Sequence, residues 1–307
     1  MNQNSPSFNK KNVVIGTHLG KFHADDVLAV ATLRMLYPDA PIVRTRDLEK
    51  LKDCDIVVDV GLIYDPENGR YDHHQKDGAG KRTNGIEYSS FGLVWKDYGL
   101  AITDNEEIAK LVDEILVQSV DARDNGQSIM IKNPAFNGAS NFCLSSILDT
   151  FNPTWDEPQD HDKAFEDALI MAEVVIKGVV RSCQSVVRAK KQVRQALAER
   201  QDSRILVLKQ GCPWQNVVLL ESEGADVLYV ILPGEEGNWR VQAVPLAFGS
   251  FRNRKALPKA WGGLQSEALS ELTSVPDAHF CHNKLFICSA VSREGAIKLA
   301  KLAIETD

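Results

Sequence analysis

The sequence lacks several features that would place it in a specialised class of protein. No apolar run approaches the roughly 20 residues needed to span a bilayer. The opening segment, Met1 to Lys11, has neither the apolar core of a secretory signal nor the arginine of a mitochondrial presequence. None of the six cysteines forms a Cys-x-x-Cys pair, which disfavours a disulfide framework in a chain of 307 residues. These absences predict a globular protein of the cytoplasm that does not associate with membranes.

The chain also lacks an excess of positive charge. Its 35 Lys and Arg against 42 Asp and Glu give a formal net charge of −7. This charge argues against a broad nucleic-acid-binding surface but leaves room for a local basic groove. Basic residues concentrate at 181–204, where seven Lys and Arg face only Glu199 and Asp202. Either a solvated helix face or the wall of a cleft for a polyanion accounts for this run.

Short apolar runs alternate with amphipathic segments in the first third of the chain. The predicted elements are a strand at Val13 to Gly16, a helix at Asp25 to Tyr37, a strand at Pro41 to Arg44, a short helix at Asp47 to Leu51 and a strand at Asp55 to Asp59. This alternation predicts an α/β fold in which a parallel sheet is covered by helices on both faces. Ligands of such sheets bind beyond the carboxyl ends of the strands.

The rest of the chain predicts a long helix and a smaller α/β domain. A helical period without proline extends from His161 to Arg200 and corresponds to roughly 60 Å of helix, which Gly178 can kink. The elements that follow are a hairpin of Asp226 to Leu232 and Asn238 to Pro245 around the turn 234–237, a helix at Ser266 to Leu272, a strand at Phe280 to Cys288 and a helix at Arg293 to Ile304. We therefore expect a first domain at 12–160, a bridging helix at 161–200 and a second domain at 201–307.

Histidines and carboxylates gather near the ends of the predicted strands. Four of the seven histidines fall within the first 74 residues. Six groups fall at or near strand or helix ends on one edge of the sheet: His18, His23, Asp25, Asp59, His73 and Asp121. Imidazoles and carboxylates without cysteine suit divalent cations, whereas structural zinc usually takes cysteine. Six ligands suffice for two cations if Asp59 bridges them. The many carboxylates favour Mn²⁺ or Mg²⁺, with Zn²⁺ or Co²⁺ as substitutes.

Such a two-cation centre predicts phosphoryl chemistry. Two ions a few ångström apart clamp the attacking and leaving oxygens, and a water between them loses its proton near neutral pH. His74, left free of metal, is expected to donate a hydrogen bond to a phosphoryl oxygen.

Two polar segments near this centre have more than one interpretation. Asp121 follows a predicted helix at Ile108 to Val120, in a run through Asp124 to Gly126, and this run is either part of the site or a helix stop with Gly126 near the left-handed position. The glycine-rich basic loop Gly78 to Gly85 is either a plain connection or a contact to substrate.

These motifs resemble a known superfamily. Asp72-His73-His74, with an upstream aspartate closing an apolar strand and a His/Asp cluster after the first strand, resembles the DHH phosphoesterases. Within that superfamily the chain resembles the MYG family, which is associated with 3′→5′ RNA exonuclease activity. The matching stretches are IGTHLGKFHADDVLA, IVRTRDLEKLKDCDIVVDVG, YDHHQ, VDARDNG, NWRVQAVP and REGA, between residues 15 and 296.

The resemblance implies roles for individual residues. It makes His18, His23, Asp25, Asp59, His73 and Asp121 the ligands of two metals, with Asp124 as an alternative to Asp121 and with His74 and Asp59 as the catalytic pair. It makes 12–160 the catalytic domain and 201–307 the substrate-binding domain, with Arg240 and Arg293 facing phosphate. His23 stands where many members of the superfamily have aspartate. Cys288-Ser289 stands where the family has Gly-Gly in the last strand-to-helix turn, and its side chains would hinder close approach of substrate to the backbone.

The resulting hypothesis is a metal-dependent phosphodiester hydrolase that acts on RNA or short oligonucleotides from the 3′ end. Hydrolysis of a small phosphorylated molecule, such as pyrophosphate or a dinucleotide, is an alternative that the acidic net charge favours. A metal-stabilised RNA-binding protein without turnover is another, which the Cys288-Ser289 step favours.

Overall fold

The computed structural model describes residues 13–129, 140–235 and 237–306. The segment Met1 to Lys11 and Glu236 of the predicted 234–237 turn lie outside these residues. The chain divides into two compact units, with the boundary between Cys183 and Gln184. The predicted α/β class is confirmed, whereas the domain bounds at 12–160, 161–200 and 201–307 stay predictions. No helix in the described part of the chain is long and apolar enough to cross a membrane.

The first unit contains a five-stranded sheet in the order β2-β1-β3-β5-β4. Its strands are β1 (Ile15–Thr17), β2 (Ile42–Arg44), β3 (Ile56–Val58), β4 (Tyr64–Asp65) and β5 (Arg70–Tyr71). The neighbours β2, β1, β3 and β5 are parallel, and β4 pairs antiparallel with β5. Every residue of β1 and β3 is buried, as expected for parallel strands covered on both faces.

Helices lie between and after these strands. They are α1 (Ala24–Arg34), α2 (Leu48–Lys52), α3 (Ser90–Thr103), α4 (Glu106–Val112), α5 (Gln118–Asp124) and α6 (Leu144–Asp149). All residues of α1 except Arg34 are buried, including both of its carboxylates. A wider π-helical turn, Asp113–Val117, joins α4 to α5, so the helix predicted at 108–120 is irregular and continues to Asp124. Gly126 has φ +68°, in the left-handed region predicted for it.

The long helix predicted from the apolar period is confirmed. Helix α7 extends over His161–Glu199 without interruption at Gly178. The boundary between the two compact units falls inside it.

The second unit contains another five-stranded sheet, in the order β6-β7-β8-β10-β9. Its elements are β6 (Ile205–Val207), α8 (Gln215–Leu220), β7 (Tyr229–Pro233), β8 (Trp239–Ala243), α9 (Ser266–Thr273), β9 (Ala278–Cys281), β10 (Ile287–Ala290) and α10 (Arg293–Glu305). The predicted hairpin is confirmed, because β7 and β8 are antiparallel with Ile231 opposite Val241. The two faces of the sheet carry separate apolar clusters, one against α9 and α10 and the other against α7 and α8.

Two predictions in this unit are wrong. The single strand expected at Phe280 to Cys288 is two antiparallel strands, β9 and β10, because the chain turns back at Leu285, whose φ is +60°. Cys288 and Ser289 do not form the last strand-to-helix turn. They lie buried within β10, opposite Val241 and Arg240 of β8.

Candidate metal centre

The carboxyl ends of two parallel strands supply the first side chains of the site. His18 directly follows β1 and Asp59 directly follows β3. Because β1 and β3 are neighbours, these two residues meet at one edge of the sheet. His18 Nε2 lies 3.4 Å from Asp59 Oδ2, and both side chains are buried. The backbone at Asp59 is left-handed, with φ +57°, which aspartate and asparagine tolerate better than most residues.

The N-terminus of α1 supplies a second group of side chains. His23 is the N-cap residue, and Asp26 Oδ1 accepts a hydrogen bond of 2.9 Å from the His23 backbone N–H. Asp26 Oδ2 lies 3.1 Å from His18 Nε2. Asp26 was not among the predicted site residues, although its position beside Asp25 in a His-Ala-Asp-Asp run was the available signal. The cap and the contact to His18 make Asp26 a residue that positions the site.

The Asp72-His73-His74 turn supplies the third group. Asp72 Oδ1 accepts a hydrogen bond from the His74 backbone N–H at 3.0 Å and contacts His74 Nδ1 at 2.8 Å. Asp72 Oδ2 accepts a second backbone hydrogen bond, from Leu62. Asp72 is therefore a buried support for His74. His73 Nε2 lies 3.2 Å from Asp124 Oδ2 and 3.5 Å from Asp59 Oδ1.

The ligand atoms fall into three overlapping groups. In each group the atoms lie within 4.8 Å of one another, and the groups are His18, His23 and Asp59; Asp59, His73 and His74; and Asp25, His73 and Asp124. Asp59 and His73 each belong to two groups, so the set can serve neighbouring cations.

A test of fit comes from the buried polar atoms. Neither oxygen of Asp25 accepts a hydrogen bond from any described donor, and His73 Nε2, 3.7 Å from Asp25 Oδ2, forms no well-aligned hydrogen bond with any described residue despite its nearby carboxylates. A buried carboxylate without a donor is costly unless a positive charge compensates for it. Nitrogen and carboxylate ligands in this arrangement fit divalent cations.

The structure places Asp121 outside these groups. Asp121 Oδ1 accepts hydrogen bonds from Ser89 Oγ at 2.6 Å and from the Gly92 N–H at 3.0 Å, and Oδ2 accepts one from Arg82 Nη1 at 2.7 Å. Arg82, in the glycine-rich loop, also binds Asp113 at 2.6 Å. The loop's arginine is thus engaged within the protein.

Charge in the site is strongly coupled. Burial opposes a charge on His18, but Asp26 and Asp59 outweigh it and raise the pKa of His18 to about 10. Burial likewise opposes a charge on His73, and Asp124 and Asp59 raise the pKa of His73 to about 10. Burial, reinforced by Asp59 and Asp124, raises the pKa of Asp25 well above its usual range. The carboxylates therefore attract positive charge to this edge of the sheet.

One further residue was missed by sequence reasoning. Ser90, at the start of α3, donates a hydrogen bond of 2.9 Å from Oγ to Asp59 Oδ1, and it is buried. No feature of the sequence distinguishes Ser90 from its neighbour Ser89 as a site residue.

The two residues predicted to face phosphate lie in the second unit: Arg240 in β8, 3.9 Å from Glu235, and Arg293 at the start of α10, 3.9 Å from Glu294. Their contact with substrate stays a prediction.

The sequence has clear relatives. An uncharacterised protein family, UPF0160, matches residues 14–304. The chain belongs to this family. It is 37% identical to human MYG1 exonuclease over 323 residues, which cover 94% of the chain and 85% of the relative. It is 31% identical to the MYG1 protein of Dictyostelium discoideum, over 94% and 95% of the two chains. The MYG resemblance predicted from the motifs is confirmed, and the UPF0160 match includes every residue of the candidate centre.

Solved structures give weaker similarities. The pGpG-specific phosphodiesterase PggH of Vibrio cholerae has a TM-score of 0.32 and 11% identity, over 96% of this UPF0160 chain and 98% of PggH. RecJ of Thermus thermophilus in complex with Mn²⁺ has a TM-score of 0.29 and 15% identity, over 95% and 52% of the two chains. Membership of UPF0160 rests on the sequence.

Proposed function

We propose that this protein is a metal-dependent phosphodiesterase that removes nucleotides from the 3′ end of RNA with the aid of two divalent cations, of which Mn²⁺ is the first choice. The observation that carries the proposal is the sharing of Asp59 and His73 among the His/Asp groups at one sheet edge. The name exonuclease given to the mammalian relatives supports a nuclease. The resemblance of the motifs to the MYG family, which is associated with 3′→5′ RNA exonuclease activity, supports RNA as substrate and the 3′→5′ direction.

The geometry suggests how the ligands divide. One cation would be bound by His18, His23 and Asp59. The other would be bound by Asp25, His73 and Asp124, with Asp59 shared between the two. In this arrangement Asp124 takes the role that was predicted for Asp121. Bound divalent cations supply charge stabilisation for phosphoryl oxygens and activation of water.

His74 is the side chain placed to act on the substrate itself. Its Nδ1 is held by Asp72, so Nε2 is the nitrogen available to a phosphate. The hydrogen bond to Asp72 raises the pKa of His74, which favours the protonated, donating form. Protonated His74 would donate to a non-bridging phosphoryl oxygen as negative charge develops there. Ser90, through its hydrogen bond to Asp59, would keep that carboxylate in a fixed orientation.

The first test is digestion of a 5′-labelled RNA oligomer in Mn²⁺ by the wild type and by a His73→Ala/His74→Ala variant. We expect a ladder of shortening labelled products from the wild type and none from the variant. His279→Ala, which removes an exposed histidine of β9, is the matched control and should digest RNA normally. Immediate release of labelled mononucleotide would contradict the 3′→5′ direction, and intact RNA beside metal-loaded protein would contradict the function.

A second prediction separates the two aspartates of α5. Asp124→Asn should weaken Mn²⁺ binding at least about tenfold, because it removes a carboxylate beside His73. Asp121→Asn should leave Mn²⁺ stoichiometry unchanged, because Asp121 is bound by Arg82, Ser89 and Gly92. Equilibrium dialysis with Mn²⁺ measures both variants. Loss of an ion from Asp121→Asn alone would reassign the ligand.

A further inference from the structure

A long stretch of the second unit contains no acidic residue. Residues 237–266 include five cations, at Arg240, Arg252, Arg254, Lys255 and Lys259, and no Asp or Glu, in a chain whose net charge is −7. The stretch begins at β8 and ends at α9. Positive charge is therefore concentrated on one segment of an acidic protein.

After β8 the chain forms a narrow hairpin, residues 245–253, which we call the aromatic hairpin. Pro245 and Asn253 form an antiparallel bridge, and the Leu246 N–H donates a hydrogen bond of 2.8 Å to the Arg252 carbonyl. Near its tip Gly249 has φ +70°, and Ser250 Oγ accepts a hydrogen bond of 3.0 Å from the Arg252 N–H. These bonds hold the backbone in a defined shape.

The aromatic hairpin presents apolar side chains to solvent. Phe251 is fully exposed, Phe248 is 54% exposed and Leu246 is 51% exposed. Apolar side chains grouped in this way on a soluble protein commonly mark a binding surface. Aromatic rings on a loop with an ordered backbone lose little entropy on binding.

The cations near the aromatic hairpin have different roles. Arg254 is fixed within the protein, because its guanidinium donates to the carbonyls of Val218, Gly224, Ala225 and Val227. It anchors the base of the hairpin. Arg252, Lys255 and Lys259 form no ion pair with a carboxylate in the described part of the chain. Their charges are available to an anionic partner.

We propose that the aromatic hairpin binds single-stranded RNA, with Phe248 and Phe251 stacking on bases and Arg252, Lys255 and Lys259 contacting phosphates. Aromatic rings beside unpaired cations are the usual means of holding a single strand. A duplex would not suit the rings, since its bases are already stacked on one another. The inference rests on the proposed function and narrows its substrate to a strand several nucleotides long rather than a small phosphate ester.

The test compares RNA binding by full-length variants carrying Asp59→Asn, so that RNA stays intact in Mn²⁺. Fluorescence anisotropy with a labelled single-stranded RNA should show Kd raised about thirtyfold or more by Phe248→Ala/Phe251→Ala, because the loss of each stacked base raises Kd at least roughly fivefold. Trp155→Ala is the matched control, because Trp155 is 92% exposed but stands beside Asp156 and Glu157. It should leave Kd unchanged. Thermal unfolding should be the same for all three proteins.

Three further variants identify the nature of the contact. Phe251→Tyr should preserve RNA binding and Phe251→Leu should weaken it, because only the tyrosine keeps a π face. Replacing Arg252, Lys255 and Lys259 by glutamine should reduce the slope of log Kd against log salt by about 2, since each phosphate contact of a single strand contributes about 0.7. An anionic bilayer is the competing partner. If the Phe251→Leu variant still sedimented with phosphatidylserine vesicles and bound RNA with the same Kd as the protein that keeps Phe251, the proposal would be overturned in favour of a membrane.

The outcomes separate this proposal from the proposed function. If RNA binding needs the aromatic hairpin but the unmutated protein does not cleave RNA in Mn²⁺, the result supports the RNA-binding role of the hairpin and contradicts the exonuclease function. Cleavage of RNA with the same KM in the wild type and in Phe248→Ala/Phe251→Ala contradicts the hairpin and leaves the exonuclease standing. Absence of RNA binding by the Asp59→Asn protein also overturns the hairpin proposal.

Discussion

Asp59→Asn is expected to reduce RNA hydrolysis about a thousandfold or more. Asp59 is shared by two of the candidate ligand groups, so its charge would serve both cations. Metal ions contribute several kcal/mol to stabilising a phosphoryl transition state, and each 1.36 kcal/mol corresponds to a factor of ten in rate. Asparagine has nearly the same size, tolerates the φ of +57° and can still accept the hydrogen bond from Ser90. The variant should therefore fold normally while kcat on RNA falls at every Mn²⁺ concentration.

Asp104→Asn provides a matched control for this substitution. Asp104 is the C-cap residue that follows α3, with φ +51° and an exposed side chain, so the change places asparagine in the same backbone conformation away from the centre. Its kcat should equal that of the wild type. Activity of Asp59→Asn within tenfold of the wild type, with Mn²⁺ bound, would contradict the role of Asp59 as a shared ligand.

The location of the centre could be predicted from the sequence because one rule of sheet geometry governs it. Parallel strands end at the same edge, so residues that follow the strands predicted at 13–16 and 55–59 lie near one another. This places His18 and Asp59 together before any contact is known, whereas β5, the short strand that brings His73 to the same edge, was not predicted. Asp26 belonged to the same motif as Asp25, but its part in holding His18 depends on the capping geometry of α1.

The choice between Asp121 and Asp124 could not be made from the sequence. The two residues are three positions apart on a helix with 3.6 residues per turn, so they lie on similar faces. The π-helical turn at Asp113–Val117 adds a residue to one turn and so changes which face of α5 meets the sheet edge. The partner of Asp121, Arg82, comes from a loop 39 positions earlier. No local sequence pattern indicates a contact between residues so far apart in the chain.

The missed turn between β9 and β10 has a different cause. The run Phe280 to Cys288 is apolar at both ends, and its average hides the polar centre His282-Asn283-Lys284. Lys284 donates its backbone N–H to His282 Nδ1 at 3.0 Å, which closes the turn through a side chain. A polar triplet inside an apolar run was the signal for a hairpin.

Arg82→Met is expected to lower the free energy of unfolding by about 3–5 kcal/mol, because removing one partner of a buried ion pair leaves the other charge uncompensated. Asp121 is fully buried, and burial already raises its pKa to about 6 despite Ser89 and Arg82. Methionine retains the apolar length of the side chain that packs over Tyr88. Urea denaturation of the wild type and the variant measures the loss.

The control for Arg82→Met is Arg204→Met, which removes an exposed ion pair with Asp202 of 2.9 Å. It should cost less than about 1 kcal/mol, since solvent screens such a pair. The loss in Arg82→Met should also shrink as the pH is lowered from about 8 to about 5. A carboxyl group whose folded pKa is raised destabilises the native state above that pKa, and protonation relieves the cost as the pH falls. A loss below 1 kcal/mol, or one independent of pH, would show that Asp121 does not depend on Arg82 for its charge compensation.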